Sequence, residues 1–274
     1  MQLAAISWTF GLEDLNDLFY NVKEIGYTSL QFCGDFEKYD ATAVVAISKE
    51  YGVALTCYDP LNCKPKTATD ATLQKSVVFY KKVIDYAVAI GAPICTLQGL
   101  SFWTKNQPNY DAALQQISEA VLQLSDYAKV KNMLLSYEAC NHYEVPQGQT
   151  AEELLRIYNG AGRPKNVKLV LDSFHMNITE KDMVNPIKKL GEKLLCSYHV
   201  SDSGRGGIGT GSIDYLIQFK TLKQIGFDGL VCFEIVLPEC RPNKLPMNEA
   251  QLEKFKQQSK NSLTIWQGFM KNDP

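Results

Sequence analysis

Histidine is scarce in this chain. His142, His175 and His199 are the three found in 274 residues, too few for a multi-metal cluster built on imidazoles. Basic runs are missing too, and the formal net charge is −2. Neither a nucleic-acid backbone nor an anionic membrane is therefore the expected partner. No apolar run approaches the roughly 20 residues of a membrane span. Residues 1–6 are apolar but lack a basic lead-in and a small-residue cleavage site, so they read as a first strand and not as a secretion signal. The eight cysteines form no Cys-x-x-Cys pair, which argues against a zinc finger. Five of them, Cys33, Cys57, Cys95, Cys196 and Cys232, fall in strand-like stretches. They read as small apolar core residues of a reducing compartment, the cytoplasm. Cys57 and Cys140, near strand ends, are the two placed where a reactive thiol could act. A Gly-rich phosphate loop is also lacking: after Trp8 comes only Thr9-Phe10-Gly11.

What is present is a regular alternation. Short runs rich in Val, Leu, Ile and Cys recur at 3–8, 28–33, 53–58, 94–98, 133–138, 167–172, 194–200 and 230–235. Runs of this length suit strands of a parallel sheet covered on both faces. Between them lie amphipathic helical stretches. One carries Leu12, Leu15, Leu18, Phe19, Val22 and Ile25 and stops at Gly26; another carries Leu114, Ile117, Val121, Leu124 and Ala128 and stops at Asn132. Others fall near 41–51, 70–90, 152–158, 180–190 and 212–225, and a last one carries Leu252, Phe255, Leu263 and Trp266. Gly and Asn accept the left-handed conformation that ends a helix. Eight strand–helix units in this length predict an α/β fold, a single (β/α)8 TIM barrel domain over 1–274. A doubly wound open sheet is the alternative, but it lacks its phosphate loop here.

The C-terminal ends of the predicted strands carry the chemistry. The fifth ends in Glu138, the sixth in Asp172, the seventh in His199 and the eighth in Glu234. In a closed barrel these ends ring one mouth, where ligands bind. A charge at the end of an apolar strand is costly unless it is paired or holds a metal. A salt-bridged ring is the alternative, but no Lys or Arg stands at the ends of the other strands. Three carboxylates and one imidazole suit a divalent metal of intermediate hardness, Mn²⁺ first, with Co²⁺ or Mg²⁺ as alternatives.

Four segments resemble the ketose 3-epimerases, the D-tagatose/D-psicose 3-epimerase group of the xylose-isomerase-like barrels. Glu138-Ala139-Cys140-Asn141-His142-Tyr143-Glu144 is similar to the family's Glu…Asn-x-Tyr-Glu turn. Asp172-Ser173-Phe174-His175-Met176-Asn177-Ile178 resembles its Asp-Thr-Phe-His-Met-Asn-Ile segment and is the most specific match. His199 through Arg205, followed by Gly209-Thr210-Gly211-Ser212-Ile213-Asp214, resembles its seventh-strand loop, and Gly226-Phe227-Asp228-Gly229 precedes Glu234 as in the family. The resemblance implies that Glu138, Asp172, His199 and Glu234 hold the metal. It implies that Glu144, His175 and Arg205 contact a small sugar, and that Glu138 and Glu234 also transfer protons. It further implies a homodimer or homotetramer. Departures fall outside the metal set: Ala139 replaces a common Pro, His142 a common Arg, and Thr179 a frequent acid, while the loop 99–103 matches loosely.

The residue types agree with that chemistry. Inverting C3 of a ketose removes a proton next to the C2 carbonyl and gives a cis-enediolate. A Lewis acid would stabilise that species. Two carboxylates on opposite faces of C3 would take the proton and return it. His175 could donate to O2 and Arg205 could hold hydroxyls through its fork of donors. Trp8, Phe10, Phe102 and Trp103 are expected to wall the pocket, since apolar sugar faces stack on aromatics, although Trp8 could equally pack in the core. Rivals on the same metal site are an aldose–ketose, hydroxypyruvate or inosose isomerase, or an inosose dehydratase. An apurinic endonuclease of related fold would need more histidines and a basic surface. A non-catalytic sugar- or metal-binding module would not need both carboxylates.

Overall fold

The computed structural model describes residues 1–241 and 244–272; residues 242–243 and 273–274 of the expected domain span lie outside that description. Eight parallel strands close into a barrel: β1 (Gln2–Ile6), β2 (Ser29–Cys33), β3 (Ala54–Asp59), β4 (Ile94–Thr96), β5 (Leu134–Ala139), β6 (Val167–Asp172), β7 (Leu195–Val200) and β8 (Leu230–Phe233). Each strand pairs with the next, and β8 pairs back with β1. The intervening helices are α1 (Leu15–Ile25), α2 (Ala41–Tyr51), α3 (Leu73–Ala89), α4 (Tyr110–Lys129), α5 (Ala151–Gly160), α6 (Ser173–Thr179), α7 (Asn185–Leu194) and α8 (Tyr215–Gln224), and α9 (Glu249–Asn272) follows the barrel. The fold is the (β/α)8 barrel that the alternation predicts. No helix among the described residues is long and apolar enough to cross a membrane.

Helix starts follow side-chain caps more closely than apolar spacing. Asp14 accepts a hydrogen bond from Asp17 N (3.0 Å), so α1 begins at Leu15 and not at Leu12. Thr72 caps α3, while Asp70 closes a capping box with Thr67 on a short 3-10 helix, so α3 begins later than the periodicity suggests. Gly26, at φ 108°, ends α1. Asn132, at φ 55°, stands just past α4 as expected. Gly191, at φ 62° and ψ 177°, interrupts α7. α6, which follows Asp172 directly, is an element that apolar spacing did not signal.

Two apolar layers sandwich the sheet. The outer one lies between strands and helices; Trp266 of α9 is fully buried there among Tyr198, Tyr215, Phe219 and Phe233. The inner one fills the barrel with small and medium residues: Ala4, Ile6, Cys33, Cys57, Leu230 and Cys232. Side chains alternate across a strand. The inward Cys57 is therefore followed two residues later by Asp59, and the inward Cys232 by Glu234. Ser197, which touches Cys232 (3.5 Å), is followed in the same way by His199. The barrel filling thus gives way to a polar layer at the C-terminal mouth. All eight cysteines are free; Cys196 is half-buried and the others are buried.

Candidate active site

Glu138 stands near the end of β5, Asp172 ends β6, His199 lies near the end of β7, and Glu234 directly follows β8. Strand register brings them level: Asp172 pairs with His199, and Val200 pairs with Phe233. One ligand atom from each of the four lies within 4.8 Å of the others. His199 Nδ1 faces Glu138 Oε1 at 3.1 Å and Glu234 Oε2 at 3.4 Å. All four residues are buried, Asp172 completely. Glu138 Oε1, Asp172 Oδ2, His199 Nδ1 and Glu234 Oε2 are buried without a hydrogen-bond partner among the described residues. Orphaned buried acceptors are expensive. Several aimed at one point, three of them from carboxylates, fit a divalent cation.

Without a cation the charges oppose each other. Burial, then Glu234 and Glu138, push the Asp172 carboxyl well above its ordinary range. Burial also raises Glu138. Burial acts on Glu234 in the same direction, but the His199 and Arg205 contacts outweigh it and hold Glu234 low. Burial opposes the imidazolium at His199, and the Glu138 charge overcomes it and raises that pKa. The other oxygens are anchored. Asp172 Oδ1 caps α6 by accepting from His175 N (2.9 Å), and Glu234 Oε1 accepts from Trp8 Nε1 (2.8 Å). Asp172 and Glu234 are therefore each held by one oxygen and open at the other.

The cap on α6 also places His175. Its Nδ1 lies 2.8 Å from Asn141 Nδ2. Asn141 Oδ1 is already used, accepting from Tyr143 N (2.9 Å), so the amide presents its NH₂ to the ring. Nδ1 is then the acceptor, and the imidazole proton sits on Nε2, toward Glu144 Oε2 at 4.0 Å. Burial and the neighbouring Arg205 push the His175 pKa down to about 3. His175 is thus a neutral donor. Asn141 is a residue whose part the sequence reading missed; the signal was its place between Glu138 and Glu144 in the quoted turn.

Arg205 lies over two aromatic rings. Its guanidinium carbon lies 5.4 Å from the Trp8 ring centre and 5.0 Å from that of Phe174, and Nη1 donates to Glu144 Oε1 (2.5 Å). Its Nε is buried, with no partner among the described residues. The backbone at Arg205 is left-handed (φ 63°) and is fixed by bonds to Asp202 O and from Val236 N. Asp202, fully buried, ties the loop together by accepting from Ser203, Gly209 and Ile213 N–H groups. Gly211 is required there, since a Cβ would come within 2.5 Å of Asp202 Oδ1.

A cavity of about 560 Å³ opens over the cluster. Glu138, Glu144, His175, Arg205, Glu234, Trp8 and Phe102 all line it. Trp103 does not. Its Nε1 donates to Cys63 O (2.7 Å), and its ring packs on Phe79 in the wall of a neighbouring cavity of about 650 Å³. Phe10 is buried against Phe255. The reason is local: β1 ends at Ile6, and Trp8 and Phe10 lie on a 3-10 helix that sends their rings apart. Phe102 and Trp103 likewise share one 3-10 helix (Leu100–Thr104). Cys140 lines the cavity and accepts from Gln98 Nε2 (2.7 Å), yet burial followed by the Glu138 charge pushes its thiol up. Burial raises Cys57 as well, so neither is a thiolate near neutral pH. Asp59 also lines the cavity. Sequence reading stopped the third strand at Tyr58, ahead of Pro60, and so passed over it.

Comparison with known proteins agrees with this architecture. The family description "Xylose isomerase-like TIM barrel" matches residues 19–258. The chain belongs to that family. A ketose 3-epimerase of Arthrobacter globiformis is 29% identical over 233 residues, covering 83% of this chain and 80% of its own. An L-ribulose 3-epimerase of Methylomonas sp. strain DH-1 is 36% identical over 142 residues, 52% of this chain and 46% of its own. The crystal structure of a D-allulose 3-epimerase from Methylomonas sp. has the same fold, with a TM-score of 0.81 at 22% identity over 98% of each chain.

Proposed function

We propose that this protein is a metal-dependent ketose 3-epimerase. The observation that carries the reading is the set of four buried ligand residues, two of them glutamates on β5 and after β8, with open oxygens under one cavity. The sugar-epimerase relatives support the substrate class. Glu138, Asp172, His199 and Glu234 would hold the ion, Mn²⁺ first, with Co²⁺ or Mg²⁺ as alternatives. A bound ion would supply Lewis acidity toward the C2 carbonyl.

The protein's own residues do the rest. Glu138 and Glu234 flank C3; one removes its proton and the other returns a proton to the opposite face, through a cis-enediolate. In the metal-free protein burial raises Glu138, while His199 and Arg205 hold Glu234 low. His175 donates from Nε2 to O2 as charge develops there, and being neutral it does so without surrendering its proton. Arg205 and Glu144 hold hydroxyls, and Trp8 offers its face to the sugar. The working form would be a homodimer or homotetramer in a reducing cytoplasm, which ultracentrifugation would test.

The experiment is a reconstitution. The protein is stripped with chelator, reloaded with Mn²⁺, Co²⁺ or Mg²⁺, and incubated separately with fructose, psicose, tagatose, sorbose and ribulose. Metal-dependent formation of the C3 epimer is the expected product. An aldose product would move the reading to an isomerase. Inertness toward every free ketose would overturn it and direct the search to inososes and short keto acids.

A further inference from the structure

Half of the barrel mouth takes no part in the reaction described above. Apart from Trp8, the metal cluster and its helpers come from β5 to β8 and the loops that follow them. The opposite half brings Gln31 of β2, Asp59 of β3 and Gln98, just beyond β4, to the same cavity. All three keep hydrogen-bonding capacity that no described residue uses. Gln98 Oε1 is buried without a partner. Gln31 is 4% exposed, yet its side-chain amide has no partner among the described residues. Asp59 is half-buried, and only its backbone is engaged, the carbonyl accepting from Gly34 N (3.0 Å).

Buried polar groups are normally satisfied. Those left open along a cavity mark where a ligand completes them. This trio offers two amides and a carboxyl group whose pKa burial and the Glu138 and Glu234 charges push up, so it can donate as well as accept. Sugar hydroxyls, which donate and accept, match such a set. A phosphate matches it poorly, because none of the three is a cationic donor. Of the cations on the cavity wall, Arg205 donates to Glu144, Lys64 is exposed over the Phe102 ring (4.7 Å), and Arg241 lies beside Gly204 in the loop after β7.

We propose that Gln31, Asp59 and Gln98 form a hydroxyl-binding subsite for the end of the substrate remote from the reacting carbon. Asp59 is its specificity-determining residue, and the substrate is an unphosphorylated polyhydroxy ketose. This rests on the epimerase reading.

The test compares kcat/KM of the Mn²⁺-loaded protein and of Asp59→Ala for D-psicose, for its 4-, 5- and 6-deoxy forms, and for its 6-phosphate. The wild type should prefer the parent sugar over at least one deoxy form by about 10- to 100-fold, and Asp59→Ala should erase that ratio. The 6-phosphate should be at least about tenfold poorer than the parent for the wild type. A merely structural Asp59 would lower all the sugars by one factor and leave the ratios intact, which would overturn the proposal, as would a preference for the phosphate. Asp59→Asn, matched in size, carries the same ratio test if the alanine variant does not fold. Calorimetric binding of the same sugars separates the two failures. Discrimination in binding that depends on Asp59, without any C3 inversion, would refute the reaction and keep the subsite; inversion without discrimination would do the reverse.

Discussion

Asp172→Asn should stabilise the metal-free protein while weakening its response to metal. The side chain is fully buried, and Oδ1 caps α6 through His175 N. The amide keeps that acceptor and nearly the same volume. It removes a charge that burial, Glu234 and Glu138 all oppose. The size of the effect is bounded. An ordinary Asp titrates near 3.8, and each unit by which its pKa rises is worth about 1.36 kcal/mol, so forced ionisation at pH 7 can destabilise by at most about 4 kcal/mol before the group takes a proton. A gain of about 1–3 kcal/mol in chelator is expected, or a Tm rise of roughly 3–10 °C. The sign follows from linkage: the folded state binds the proton more tightly than the unfolded chain, so wild-type stability in chelator falls as pH rises above about 4. The variant lacks that fall. With Mn²⁺ at about 1,000 times the wild-type Kd, the wild type gains about 4.1 kcal/mol; a variant weakened about 100-fold gains about 1.4 kcal/mol. Thermal denaturation in chelator and in Mn²⁺ measures both. A variant that is less stable in chelator, or that keeps the full metal response, would refute the reasoning.

Three further outcomes are expected. Glu138→Gln and Glu234→Gln should each lower kcat by roughly 10²- to 10⁴-fold while calorimetry still detects sugar binding; retained turnover would remove both from proton transfer. His175, pushed down to about 3, stays neutral in the fold while the unfolded chain takes a proton near 6.5, so stability is lost as pH falls below 6.5. His175→Gln should therefore narrow the stability gap to wild type by about 2 kcal/mol between pH 7.5 and pH 5, read from denaturant titrations. Arg205→Lys keeps the charge but gives up the planar contacts with Trp8 and Phe174; kcat/KM should drop by roughly 10- to 100-fold, mostly in KM.

The buried cluster was legible because it obeys a strand-end rule that needs no tertiary contact: Glu138, Asp172, His199 and Glu234 each lie at or near the end of an apolar run. The barrel was legible from the same alternation. Asp59 obeys the same rule and was lost because Pro60 made the strand look shorter than it is. The two tryptophans diverged for a different reason. Trp8 reaches Glu234 and Trp103 reaches Cys63 from 3-10 helices, whose ring directions are set by partners far along the chain. The tautomer of His175 depends on Asn141, which depends on Tyr143 N, a chain of bonds that spacing alone does not encode. Local rules thus located the charged layer, while its orientation came from contacts such as those of Arg205 with Trp8 and Phe174.

The central claim is that Glu138 and Glu234 act on opposite faces of C3. It is tested most directly by running the Mn²⁺-loaded protein on psicose in deuterated water and reading C3 by NMR at early conversion. The account predicts solvent deuterium at C3 of the product epimer, protium at C3 of the remaining substrate, and no exchange once the metal is chelated. Product carrying the original protium, or deuterium appearing at C1 with an aldose, would contradict it.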